Sequence, residues 1–113
     1  MKEPDLKKQA VMRVDKGEEI VGMWASPQVP GTGIYKLAAK KRLDGKIEWA
    51  HFIHRDDGSR KIVLRGEADT KEQLALVLDL ANKQLARIFG VTMSTADVSM
   101  KALDGRPLDD KVH

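Results

Sequence analysis

Cysteine is missing from the chain, and with it go disulfide staples, thiolate metal sites and a cysteine nucleophile. Aromatic side chains are scarce. Trp24, Tyr35, Trp49, Phe52 and Phe89 are the full set, so aliphatic residues must fill most of any core. No apolar run approaches the roughly 20 residues that a membrane helix needs, and the N-terminal stretch is too polar to read as a secretory signal. The expectation from these absences is a soluble protein of the cytoplasm.

What is present suits one small domain. The 113 residues are 42 % hydrophobic and 33 % charged, enough for a core in a length that leaves little room for a second one. Net charge is +3, from 20 Lys and Arg against 17 Asp and Glu. That excess is too mild to name a partner by itself. Residues 1–17 read as an N-terminal arm, with Leu6, Ala10 and Val14 along one side of a short helix at most. Residues 18–103 read as a single α+β domain, and residues 104–113 as a polar, flexible tail.

Within the domain, Glu19–Ala25 carries strand-forming residues, and Pro27 and Pro30 end it in a loop because proline removes ladder donors. Gly31-Thr32-Gly33 lacks the lysine, the glycine spacing and the following helix of a phosphate loop, so it is turn chemistry. From Gly33 to Gly66 the chain reads as a three-stranded meander. Asp44-Gly45 fits a two-residue type I′ hairpin, and Asp56-Asp57-Gly58 fits a three-residue hairpin with a glycine bulge.

Those turns set a register. Leu37 faces Phe52 and Ala39 faces Ala50 across the first hairpin; His54 faces Arg60, Phe52 faces Ile62 and Ala50 faces Leu64 across the second. One face then carries Leu37, Ala39, Ala50, Phe52, Ile62 and Leu64, an apolar patch. The other carries Lys36, Lys40, Arg42, Lys61 and Arg65 with Ile47, Trp49, His51, Ile53 and Val63. A helix follows. Thr70 and Gln73 form a capping box, Leu74, Val77, Leu78, Ala81, Leu85 and Ile88 recur at helical spacing, and Gly90 is the stop. The helix is expected to cover the Leu37/Phe52/Leu64 face. Leu76 and Leu80 fall outside its main stripe and are free to meet the N-terminal strand, the tail or a second subunit. Beyond Gly90, Ala96, Val98, Met100 and Ala102 alternate as in a short strand, while Ser94 to Asp97 equally fits a helical cap.

No constellation reads as catalytic. Ser26, Ser59, Ser94 and Ser99 have no activating context. His51 and His54, three apart on a strand, point to opposite faces and do not converge on one metal ion. Asp56 and Asp57 suit a tight turn for backbone reasons. Neither a cofactor nor a metal site is expected, and the chain reads as non-enzymatic.

Charge placement carries the functional expectation. Between Lys36 and Arg65 nine basic residues meet four acidic ones, a local charge of +5, which leaves −2 for the rest of the chain. On the expected register Lys36, Lys40, Arg42, Lys61 and Arg65 share a face with Trp49, where cations would neutralise phosphates and the indole would stack on a base. The runner-up is a protein-interaction or homodimerisation module, using the same sheet face or the Leu76/Leu80 stripe.

The order of Lys46-Ile47-Glu48-Trp49-Ala50-His51-Phe52-Ile53-His54-Arg55, Arg60-Lys61-Ile62-Val63-Leu64-Arg65-Gly66 and Asp69-Thr70-Lys71-Glu72-Gln73-Leu74 resembles the small sheet-plus-helix DNA readers, the plant AP2 domains and integrase arm-binding domains. The resemblance covers about half the chain. It implies a three-stranded sheet lying on DNA with one helix packed behind it. The chain departs from the AP2 pattern in lacking its Tyr-Arg-Gly start and its alanine-lined helix face, a difference that would hold sheet and helix further apart.

Overall fold

The computed structural model describes residues 11–98. The N-terminal segment with Leu6 and Ala10, the positions Met100 and Ala102, and the tail 104–113 lie outside the described residues. The fold is α+β: an open antiparallel sheet with one helix packed against it. Its elements are β1 (Glu19–Ala25), β2 (Gly33–Lys41), β3 (Ile47–Arg55), β4 (Arg60–Ala68), α1 (Lys71–Phe89) and β5 (Ser94–Thr95). The sheet order is β4-β3-β2-β1-β5, so the meander runs as expected and two residues after the helix add a fifth strand. Asn82 holds that return, with its Oδ1 accepting from the Met93 N–H at 2.8 Å.

The β2–β3 register differs from the expectation by one residue. Leu43-Asp44-Gly45 forms a three-residue loop, closed by Arg42 N–H to Lys46 O at 2.8 Å and Gly45 N–H to Arg42 O at 2.9 Å. The reason is backbone strain. A two-residue type I′ turn needs positive φ at both positions, whereas the three-residue turn puts it on Gly45 alone, at +89°. Leu37 therefore pairs with His51 and Ala39 with Trp49. The β3–β4 loop at Asp56-Asp57-Gly58 is the expected three-residue one, and His54–Arg60 and Phe52–Ile62 pair as expected. A bulge at Val63 then shifts the strand, so Ala50 faces Arg65 and not Leu64.

These two shifts re-sort the faces. The helix lies over Leu37, Ala39, Ile47, Trp49 and Ala68, with Leu74 and Leu85 buried beneath it. The expected docking face is thus split: Leu37 and Ala39 lie under the helix as expected, while Ala50, Phe52 and Ile62 are on the other side. There Val11 and Met12 pack onto Met23, Ala38, Ala50 and Phe52, so part of the arm is core. Phe52 and Leu37 are both fully buried, on opposite faces. Leu64, expected in the core, is 60 % exposed, and Ile88, expected in the helix stripe, is 66 % exposed.

α1 begins as expected. Thr70 accepts at Oγ1 from the Gln73 N–H at 3.1 Å, and Gln73 Oε1 reaches back to the Asp69 N–H at 2.6 Å. Gly90, with φ of 72°, returns its N–H to Ala86 O. At that end Phe89 packs on Tyr35, with ring centroids 5.4 Å apart, and Tyr35 lies 5.9 Å from His51.

Candidate functional site

Of the six residues expected to form one basic face, Lys36, Lys40, Arg42 and Arg65 share the arm side of the sheet, while Lys61 and Trp49 lie on the helix side. Lys40 is buried, with its Nζ 2.7 Å from Glu18 Oε1 and side chains 6 % and 8 % exposed. It also donates to the Arg13 carbonyl. Arg65 is exposed and donates from Nη2 to the Val11 carbonyl at 3.1 Å. Two cations of β2 and β4 thus tie the arm to the sheet through its backbone oxygens. Arg42 sits between Asp44 Oδ2 and Glu67 Oε2, each 2.5 Å away, and its guanidinium holds the Asp44 carboxyl down to about 2. Lys36 is half-buried, with Nζ 3.2 Å from His54 Nδ1. Burial pushes Lys36 down; burial first, then the charges of Lys36 and Arg60, push His54 down. Lys61 is exposed opposite Ile53. Trp49 is 7 % exposed and lies under α1, on the face opposite Lys40.

A different feature gathers around Trp49. Between α1 and strands β3 and β4 runs a groove of about 300 Å³. The sheet lines it with Trp49, His51, Val63 and Leu64, and the helix with Val77, Leu80 and Gln84. The lining is predominantly apolar and carries no Lys, Arg, Asp or Glu. Leu37 of β2 and Ala81 of α1 complete the lining. Trp49 Nε1 and His51 Nε2 are shut off from solvent and have no hydrogen-bond partner among the described residues. Burial lowers the His51 pKa, which keeps the imidazole neutral near pH 7.

The outer rim of the same region is apolar too. Leu76 is 64 %, Leu80 62 %, Leu64 60 % and Val63 46 % exposed, beside the open edge of β4. Sequence reasoning placed Leu76 and Leu80 off the helix stripe but missed the groove. Its signal was the two-residue spacing of Trp49 and His51, which puts them on one face.

His51 faces the helix side and His54 the arm side, and among the described residues no three His, Asp or Glu side chains gather as metal ligands. No helix among the described residues is long and apolar enough to cross a membrane. No family model, curated protein or solved structure matches the chain.

Proposed function

We propose that this protein is a non-enzymatic, cytoplasmic interaction module that pairs with a second copy of itself through the outer side of α1. The observation that carries this reading is the exposure of Leu76 and Leu80, at 64 % and 62 %, contiguous with Leu64 and Val63. Exposed apolar patches of this kind mark association surfaces. Charge selects the partner. On the side of α1 that carries Leu76 and Leu80, the exposed acidic residues Glu72 and Asp79 precede the exposed basic ones, Lys83 and Arg87. Two such helices packed antiparallel about a twofold axis set Leu76 of one copy against Leu80 of the other and acid against base at both ends.

Sedimentation at low and high salt tests this. The wild-type chain is expected to sediment as a dimer that survives high salt, because apolar contact does not weaken with ionic strength. Leu76→Glu, at an exposed position, is expected to give a folded monomer. A monomeric wild-type chain at all concentrations would overturn the reading.

Contact with nucleic acid is the second reading, restricted to Lys61 and Arg65 because Lys40 and Trp49 of the expected set are buried, and supported by the exposure of those two on the edge strand β4. If those two cations alone meet phosphates, log affinity for duplex DNA falls against log salt with a slope near −1.8, at about −0.9 per phosphate. Absence of duplex binding at low salt removes that reading.

A further inference from the structure

We infer that Lys36, held beside His54 on the arm side of the sheet, is a nucleophilic amine that takes up an aldehyde as an imine. The inference does not rest on self-association, since it concerns the sheet face opposite α1. Lys36 stands in β2 between Ala25 of β1 and Phe52 of β3. Its Nζ lies 3.2 Å from Nδ1 of His54, and His54 itself pairs with Arg60 of β4. An ammonium only donates, so this contact requires a bare Nδ1 and places the proton of a neutral His54 on Nε2. Both side chains are half-buried, and no carboxylate among the described residues is bonded to Lys36.

A lysine amine turns nucleophilic at neutral pH when burial strips water from its charged form. Burial acts on Lys36 in that direction. His54 supplies the base. Burial and the charges of Lys36 and Arg60 favour its neutral form, and Nδ1 is placed to accept the proton that Lys36 loses. The lone pair of Nζ then forms a bond to the aldehyde carbon, the carbon–oxygen bond breaks, and the oxygen leaves as water with the two amine protons. Nothing is oxidised or reduced. Lys41 and Lys61 offer the contrast, since both are exposed and pair with Ile47 and Ile53 of β3.

The test treats the full chain with limiting propanal and cyanoborohydride, which reduces the imine to a stable alkylamine, and reads each lysine by peptide mass spectrometry. At pH 7 Lys36 is expected to be alkylated at least about fivefold faster than Lys41 or Lys61. In concentrated urea that preference is expected to vanish, since the fold creates it. His54→Gln keeps an oxygen acceptor near Nζ but removes the base. It is expected to slow Lys36 about threefold or more and to leave Lys41 and Lys61 unchanged. Leu76→Glu, on α1, leaves the pattern as it is whether or not the chain dimerises. Alkylation of Lys36 no faster than that of Lys41 and Lys61 overturns the inference, as does a preference that persists in urea or an unchanged Lys36 rate in folded His54→Gln. Should His54→Gln not fold, the comparison of native and urea-treated wild type decides.

Discussion

Trp49 lies against Gly66 so closely that a Cβ built at residue 66 would come 2.5 Å from the indole Cζ2 and 3.2 Å from Nε1. The pair spans β3 and β4 as direct cross-strand partners. Glycine here is a matter of space, because the indole occupies the volume where a side chain would stand. Gly66→Ala is therefore expected to destabilise the fold by about 1–3 kcal/mol, the usual cost of overpacking. Urea denaturation measures it. Gly45→Asn, at a positive φ with open space around it, is expected to cost less, since asparagine tolerates the left-handed region.

Both faces of the sheet are core, and truncation on either should show it. Phe52→Ala, on the arm side, and Trp49→Ala, on the helix side, are each expected to cost about 3–5 kcal/mol through the cavities they leave. Leu64→Ala should cost less than about 1 kcal/mol, because its side chain is largely exposed. A small loss at Trp49 in thermal or urea unfolding would contradict the helix placement.

Lys40 is the cation whose role changed most between sequence and structure. Its removal leaves the Glu18 carboxylate buried without its partner, so Lys40→Ala is expected to cost about 3 kcal/mol. It should also release the arm, raising the rate of proteolytic cleavage near Arg13. Exposed Lys61, replaced by Ala, serves as a control and should change stability by less than about 0.5 kcal/mol. Equal effects at the two lysines would contradict the buried pair.

Stability should fall with pH in two separate windows. His51 and His54 have folded pKa values lowered below the ordinary 6.5, by burial and, for His54, also by Lys36 and Arg60. The unfolded chain then binds more protons, so stability is whole above about pH 6.5 and declines as pH drops toward the folded values. His51→Phe should flatten the decline below about pH 6.5. Glu18 is also held below its ordinary value, chiefly by its hydrogen bond from Lys40. Its contribution is present above about pH 4.5 and is lost on further acidification through the folded pKa. Urea midpoints across pH 3.5–8 for the wild type, His51→Phe and Glu18→Gln separate the windows.

Local patterns determined the elements. The capping box at Thr70 and Gln73, the stop at Gly90, the glycine of the Asp56–Gly58 turn and the alternation of β1 to β4 each depend on neighbours within a few residues, and all were legible in the sequence. The faces were not. One extra residue in the Leu43–Gly45 loop and one bulge at Val63 exchange the sides to which whole strand segments point, because side chains alternate with a period of two. Neither feature has a signal strong enough in a single sequence: Asp-Gly serves both loop lengths, and a bulge follows from strand twist and packing. Only the tertiary structure decided that Trp49 lies under the helix, that Val11 and Met12 cover Phe52, and that Lys40 faces Glu18 in place of solvent. The groove at Trp49 and His51 follows from those decisions, since it requires the helix to lie on the face to which those two side chains point.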